Sequence, residues 1–574
     1  MSLISHFSFF LLSNKQTYKT DKHQTYQSYL PSPSLKMSEA GGQSKLELIA
    51  RSLDKVSNVV RPDIDPDGGG VCVLAGKKMK PGAFLVSSYA AGVALDPEHR
   101  HLCAYCVRPC IDKLGSRRCD VCKIVSICEK CEAAKKWHES SEECKALSCL
   151  VSAHHKLFGG GLDRSFLDKA NDVDSSFVLT VRVMFRRWSD CESSTRNNVE
   201  IPFPSMDWQL LDQLFTADIG SINEKQHYDS AITALCSTMR NMFCESDQGK
   251  SGRCSGSWIN KKDFDSIMGK VIGCGHAVTN LTATLGCQCL GRALFLEHSF
   301  YNHSCAPNSF LSCHIKREDE GGSYQCALVA RLHCIRDIEK TENVSISYIP
   351  TSGLDYSERQ QRLNESYSFV CKCDACSMVT EWAKDIDKST ALPDGADVSV
   401  IRDMQFSCNQ QLLDLQRGNN GNPNHSNTED MQDIQTCMST IQMNKRGVQN
   451  QCIPESHEVA IESHRLHAAT LSLSGDTEAS LGEHAAFVKS AKKIQEIFDP
   501  VALATSMMEY GLDLKKVGRS IKFVEVMTNA RESAEISLGK DHAFVKSIEK
   551  IIENASNDRN AKKRKSKDLH ENTL

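Results

Sequence analysis

Between positions 103 and 144 the chain carries Cys103-x2-Cys106, Cys119-x2-Cys122 and Cys128-x2-Cys131, followed by Trp137-His138 and then Cys144. Three such pairs with a downstream His and Cys are hard to obtain as buried free thiols. Eight N/S donors instead make two tetrahedral zinc sites. The gap between His138 and Cys144 needs a loop, so Cys110 and Cys149 stand as alternatives to those two ligands. A metal-organised unit is expected here.

A second concentration lies downstream. Cys371, Cys373 and Cys376 put three thiolates close enough for one tetrahedral zinc, which needs a fourth ligand, and Cys305 is the natural candidate. Cys305 sits in Tyr301-Asn302-His303-Ser304-Cys305-Ala306-Pro307-Asn308, a short segment that offers backbone and side-chain hydrogen-bonding groups together with a thiolate. Such a segment faces a polar ligand and a metal at once. Between the two, Val344-Ser345-Ile346-Ser347-Tyr348 alternates as a strand with 344, 346 and 348 on its apolar face, and Pro350 ends it.

The 574 residues suffice for three or more domains. A net charge of −4 gives nucleic-acid binding no global electrostatic support. The 27 cysteines would suggest disulfides in an exported chain. However, the apolar stretch from Leu3 to Leu12 follows no Lys or Arg and is interrupted by Ser5, His6 and Ser8, unlike a signal peptide. No window approaches the roughly 18 apolar residues of a membrane span. A reducing compartment is therefore expected, cytoplasmic and nuclear, with about a dozen metal ligands and the other thiols mostly buried.

Taken in order, Asn302-His303-Ser304-Cys305 with Pro307-Asn308, a strand ending in Ser347-Tyr348, and the Cys371 to Cys376 spacing resemble a SET-domain protein methyltransferase core with its post-SET zinc. The cluster from Cys103 to Cys144 resembles a MYND finger. A finger placed between Asp67-Gly68-Gly69-Gly70 and such a core resembles the SET and MYND (SMYD) family of protein-lysine methyltransferases. The resemblance implies an α+β fold: a split SET domain of small β-sheets, an inserted MYND zinc finger, a helical insert and an α-helical, tetratricopeptide (TPR)-like C-terminal domain. It divides the chain into a leader without fixed structure (1–45), the SET N-terminal part (46–102), the finger (103–144), the insert (145–265) and the SET core (266–350). A post-SET zinc region (351–378), a linker with helices (379–455), the TPR-like domain (456–556) and a basic disordered tail (557–574) follow.

On the same resemblance Cys103, Cys106, Cys128 and Cys131 hold one zinc, Cys119, Cys122, His138 and Cys144 a second, and Cys305, Cys371, Cys373 and Cys376 a third. S-adenosylmethionine is met by Gly68, Gly70, Asn302, His303 and Phe369. Tyr348 stands at the methyl-transfer point and Tyr367 in the lysine channel. The implied partner is a protein with a target lysine, histone or not, and the finger and C-terminal helices are further protein-binding surfaces. Nucleic acid and membrane are not expected partners, and a monomer is the default. The alternative is a non-catalytic adaptor in transcriptional regulation. It is favoured by Asp67, where the family usually has a basic residue, and by Cys274, where it often has a cofactor-binding Asn.

Further along, Ser357-x2-Gln360 reads as a capping box opening a helix. Ser480-Leu481-Gly482 recurs as Ser537-Leu538-Gly539, each Gly expected to end a helix before a new one. Lys562 to Lys567 is a basic run that reads as an import signal or a solvated tail.

Overall fold

The computed structural model describes residues 39–65, 70–112, 115–116, 118–158, 165–171, 173–193, 204, 206–217, 225–246, 259–282, 286–317, 326–418 and 427–571. Gly68 and residues 1–38 lie outside the described residues. Helix α1 (Glu39–Val56) precedes strands β1 (Val60–Ile64), β2 (Val71–Ala75), β3 (Phe84–Tyr89) and β4 (Gly92–Leu95). The cysteine-rich segment follows, with the hairpin β5 (Ile111–Asp112) and β6 (Gly115–Ser116) and helix α2 (Glu132–Ser140). Next come α3 (Glu142–Phe158), α4 (Phe166–Asn171), α5 (Ser175–Ser193), α6 (Trp208–Gln213), α7 (Lys225–Ser246) and α8 (Lys261–Cys274). Strands return as β7 (His276–Thr282), β8 (Gly286–Leu294), β9 (Asn302–His303), β10 (Ser309–Arg317), β11 (Cys326–Cys334) and β12 (Ser345–Ile346). The remainder is helical: α9 (Tyr356–Tyr367), α10 (Asp374–Ser377), α11 (Glu381–Thr390), α12 (Ser399–Gly418), α13 (Asn427–Asn450), α14 (Glu458–Leu473), α15 (Thr477–Phe498), α16 (Pro500–Lys516), α17 (Ser520–Leu538) and α18 (Ala543–Glu571).

Two three-stranded sheets, ordered β10-β11-β3 and β4-β8-β7, carry the strand-rich half. In the second, β4 pairs antiparallel with β8 from Gly92↔Leu294 to Leu95↔Gly291, so strands on either side of the cysteine-rich segment and helices α2 to α8 close on each other. Gly291 adopts φ +148°, and a Cβ there would lie 2.1 Å from the Ala94 carbonyl oxygen. Only glycine permits this approach. Over the sheet lies α5, whose Phe177-to-Phe185 run is buried nearly all round, as in a core helix. Arg182 within that stretch and Arg186 just after it are buried too. Arg186 donates from Nη1 to the Ala90 carbonyl oxygen at 2.7 Å and from Nη2 to that of Pro204 at 2.9 Å. One core joins α1, through Ile49 and Leu53 at i, i+4, to β2, β3, α5, α8 and the cysteine-rich segment.

Several local expectations need correction. Residues 39–45, assigned to the structureless leader, begin α1, whose Ile49 and Leu53 have the core to bury against. Only Ser345–Ile346 of the 344–348 stretch pairs as a strand, because its partner β9 is two residues long and the Tyr348 N–H turns to a side chain instead. Helix α9 is capped by Asp355, which accepts from the Glu358 N–H, and not by Ser357. Gly539 does end α17 (φ +79°), but Gly482 sits inside α15, whose start is set by Asp476. The 379–455 region is no linker: α12 and α13 pack on α14 through a sparse seam of Cys408, Leu412, Cys437, Ile441 and Leu466, hidden in a polar composition. From position 557 the expected tail continues α18 to Glu571, where Lys, Arg and Ala are good helix formers.

The last helices form their own core around Leu503, Met508, Phe523, Met527, Leu538 and Ile548, and Phe310 of β10 packs against it. A second junction lies at α9. There Glu358 accepts from His457 Nε2 at 3.0 Å and pairs with Arg402, while Glu458 takes Arg402 Nε and Arg362 Nη2, each at 2.8 Å. Burial pushes the Glu358 carboxyl up, but His457 and Arg402 outweigh it and hold it down to about 2. A folded value below the ordinary one means that the stabilisation is fully present above about pH 4.5 and is lost as pH falls towards about 2. Unfolding free energy from urea titrations should therefore fall more steeply between about pH 5 and 3 in the native chain than in Glu358→Gln. Parallel slopes would contradict this pairing.

Candidate active site and metal centres

Cys305, Cys371, Cys373 and Cys376 come together, each offering a sulfur within 4.8 Å of the others. The Cys305 N–H donates to Cys373 Sγ at 3.3 Å and the Cys373 N–H to Cys371 Sγ at 3.5 Å, bonds that favour thiolates. Helix α9 braces the group. Gln360 clamps Cys371, donating from Nε2 to its carbonyl oxygen at 3.1 Å and accepting its N–H at 2.9 Å. Arg359, fully buried, donates to the Leu354 carbonyl oxygen at 2.6 Å, and its charge lies near Cys376 and Cys305.

Around Cys305 the chain is pinned from several sides. Strands β9 and β12 pair in parallel, Ser345 with Asn302 and Ile346 with His303, and the Ser304 N–H donates to the Ile346 carbonyl oxygen at 2.9 Å. Buried Asn308 accepts the Ser345 N–H at 2.8 Å and donates to the Asn343 carbonyl oxygen at 2.8 Å. His303 is bound at both ring nitrogens: Nδ1 accepts the Tyr348 N–H at 3.0 Å, and Nε2 lies 3.3 Å from Cys305 Sγ. With Nδ1 an acceptor, Nε2 carries the hydrogen towards sulfur. The Tyr348 hydroxyl donates to the Tyr301 carbonyl oxygen at 2.7 Å, and the Tyr367 hydroxyl to that of Tyr348 at 3.2 Å. Ring centroids of Tyr348 and Tyr367 are 5.2 Å apart, those of His303 and Tyr348 5.3 Å, and those of His303 and Phe369 5.9 Å. Burial pushes both tyrosine phenols above their ordinary range.

The cysteine-rich segment yields two further groups within the same 4.8 Å limit: Cys103, Cys106, Cys128 and Cys131, and Cys119, Cys122, His138 and Cys144. His138 Nε2 lies 3.6 Å from Cys122 Sγ, while Nδ1 is 3.1 Å from Glu143 Oε2. A carboxylate on Nδ1 leaves Nε2 as the metal-facing nitrogen. Glu143 also takes Arg182 Nε at 2.6 Å and the Tyr105 hydroxyl at 3.3 Å, and the guanidinium lies 4.6 Å from the Tyr105 ring centroid. Arg182 further donates to the Ala104 carbonyl oxygen at 3.0 Å and to that of Val93 on β4. Desolvation raises the Glu143 carboxyl, but Arg182 and His138 bring it down to about 2.

Of the residues singled out by sequence, the structure thus gathers all twelve candidate ligands into three groups and brings His303, Tyr348, Tyr367 and Phe369 into one aromatic cluster. Asn302 stands beside it, its amide donating to Asp65 Oδ2 at 3.0 Å. Gly70 is exposed, with nothing within 4 Å of a Cβ placed there. Cys110 and Cys149 enter none of the groups. Asp65, Glu143, Arg182 and Arg359 were missed, and Gln360, read as part of a capping box, clamps Cys371 instead. Arg182 left a trace, a charge in the middle of an apolar run, and so did Glu143, an acid beside a candidate ligand.

No family model matches the chain. Histone-lysine N-methyltransferase ASHR2 of Arabidopsis thaliana is 23% identical over 337 residues, 55% of this chain and 72% of that protein. N-lysine methyltransferase SMYD2 of Gallus gallus is 34% identical over 119 residues, 20% of this chain and 23% of the relative. A solved SET domain of LSMT bound to lysine and AdoHcy covers 84% of this chain at 10% identity and a TM-score of 0.26, too loose a superposition to bear on the fold. Small sheets, helices and three sulfur-rich groups able to hold a metal ion define an α+β protein. Over parts of its length the chain is thus similar to curated lysine methyltransferases, among them one of SMYD type.

Glu143→Gln leaves the Arg182 guanidinium buried without its charge partner, a change that costs about 3–5 kcal/mol. The variant should melt lower than the native chain and, when both are zinc-loaded, release zinc sooner under mild chelation. Unchanged melting and metal retention would show that Glu143 supports neither Arg182 nor His138.

Proposed function

We propose that the protein is an S-adenosylmethionine-dependent protein-lysine N-methyltransferase. The observation that carries this reading is the clasp of Tyr348 to the Asn302–His303 segment through the His303 ring and the Tyr301 carbonyl, with Tyr367 and Phe369 closing over it. The relatives' names support it as well: one is a histone-lysine and one an N-lysine methyltransferase. Their substrates suggest a lysine of a histone or of another protein.

The bound cosubstrate supplies a methyl group on a cationic sulfur. On this reading Asn302 and His303 meet it with backbone and side-chain groups, Phe369 offers a ring face for its adenine, and Gly70 leaves room at its entrance. Tyr348 and Tyr367 wall the path of the lysine. Between aromatic rings the ammonium loses hydration, which favours the neutral amine that attack on the methyl requires. Tyr348, its phenol pushed up by burial, stays protonated and orients the reactants instead of removing a proton. Holding nitrogen, methyl and sulfur in line is worth several kcal/mol by order of magnitude.

The three donor groups fit zinc: soft sulfur ligands four at a time, or three with one imidazole. The third would hold Cys305 to the segment bearing Tyr367 and Phe369. The finger at 103–144 would split the SET domain between β4 and β7, and α12 to α18 would form the TPR-like domain, the two offering surfaces for protein partners of a monomer. Among the described residues no helix is long and apolar enough to cross a membrane, and reduced cysteine groups suit the cytoplasm and nucleus. The adaptor reading is favoured by one observation: buried Cys274 lies beside the tyrosines, its thiol given to the Phe215 carbonyl oxygen at 3.5 Å.

The test is methyl transfer to a panel of histones and other proteins, followed by mass spectrometry. Tyr348→Phe should lower kcat by about 10²-fold while cosubstrate affinity stays within about threefold. Equal turnover in both proteins would remove Tyr348 from the transfer point.

A further inference from the structure

Helix α9 is held from two sides. On one, Arg359, Gln360 and Leu363 face the Cys305 group. On the other, Glu358 and Arg362, at i, i+4, reach α12 and α14: Arg402 bridges Glu358 and Glu458, Arg362 closes on Glu458, and His457 closes on Glu358. The His457 tautomer is set, since Nδ1 accepts the Val459 N–H at 3.2 Å and Nε2 is left to donate. The backbone makes a second anchor. The Glu458 N–H donates to the Gly353 carbonyl oxygen at 2.9 Å, and Gly353 (φ +80°) has no room for a side chain, since a Cβ would lie 2.6 Å from that nitrogen.

At its far end α9 finishes on Tyr367. Ser368 turns left-handed (φ 57°), and the chain doubles back through Phe369 to Cys371. The side chains of the ion network are 13–33% exposed, so its pairs are partly shielded from solvent, unlike isolated surface bridges.

We infer that this network makes the C-terminal helices part of the alignment of the reaction: Arg402, with Glu358, Arg362 and Glu458, sets the tilt of α9 and so the seat of Tyr367 against Tyr348. The inference rests on the methyltransferase reading above. From Glu358 to Tyr367 the helix runs about 13 Å, so a tilt of about 5° moves Tyr367 by about 1 Å. A misplacement of that size is enough to slow a reaction by up to about 10²-fold. Arg402 and its partners touch no reacting atom and are positioning residues.

The experiment places 3-fluorotyrosine at position 367 of the full, zinc-loaded chain and records its fluorine resonance beside steady-state kinetics. Arg402→Met should shift or broaden the resonance and lower kcat about tenfold with KM within about twofold. Arg402→Lys keeps the charge but loses the fork, and should lie between. Arg519→Met, which removes an exposed bridge to Glu478 on the same helical unit, should do neither. If Arg402→Met does not fold, Arg402→Lys and Glu458→Gln carry the same readout. A resonance and kcat that stay native in folded variants overturn the inference. A native chain that transfers no methyl group, yet whose Tyr367 resonance moves in Arg402→Met, sinks the methyltransferase reading and leaves the positioning role standing.

Discussion

The convergence of Cys305 with Cys371, Cys373 and Cys376 is what the active-site geometry depends on. One sulfur comes from the segment bearing Asn302 and His303, and three come from the segment bearing Tyr367 and Phe369. Mutual repulsion of thiolates opposes this gathering unless a cation sits among them, so a metal held here would couple its binding to closure of the aromatic cluster. The His303 ring extends the link inwards, touching Cys305 through one nitrogen and the Tyr348 backbone through the other. Four aromatic side chains from three separate segments thereby share one wall.

The same logic recurs in the finger at larger radius. His138 leans on Glu143, Glu143 on Arg182, and Arg182 on carbonyls of Val93 and Ala104, so a charge chain runs from a metal group into the sheet edge at β4. Buried charges are costly unless paired, and each member here has its counterpart. The finger is thus built into the core that α1, α5 and the strands share, and its loss would reach the sheet. At the other end α9 lies between the Cys305 group and the C-terminal helices. All three junctions use arginine, Arg182 and Arg359 buried and Arg402 half-buried, whose planar fork reaches several carbonyls or carboxylates at once.

Much of this was legible in the sequence because sulfur ligands announce themselves by spacing. The Cys-x2-Cys pairs, Cys305 and the Cys371 to Cys376 run were readable one by one, and so was Tyr348 behind them. What stayed hidden is carried by single polar residues acting across long separations. Arg182 to Glu143 and Asn302 to Asp65 are pairings that no periodicity or motif announces, and the capping-box reading of Gln360 hid its bond to Cys371. The α12–α13 pair escaped because its apolar seam is narrow and partly made of cysteine. Gly482 misled because a Ser-Leu-Gly triplet that ends one helix sits inside another, where an earlier Asp476 cap has already set the helix start. Register and boundaries follow from tertiary partners, as the two-residue β12 shows by stopping where β9 stops.

The most direct measurement is calorimetric binding of S-adenosylmethionine to the full, zinc-loaded chain, beside Asn302→Ala/His303→Ala. The account predicts one site of micromolar-range affinity that the double variant loses while keeping its fold. A folded native chain that takes up no cosubstrate at high concentration would contradict it and leave the finger and the C-terminal helices as the working parts of a protein-binding adaptor.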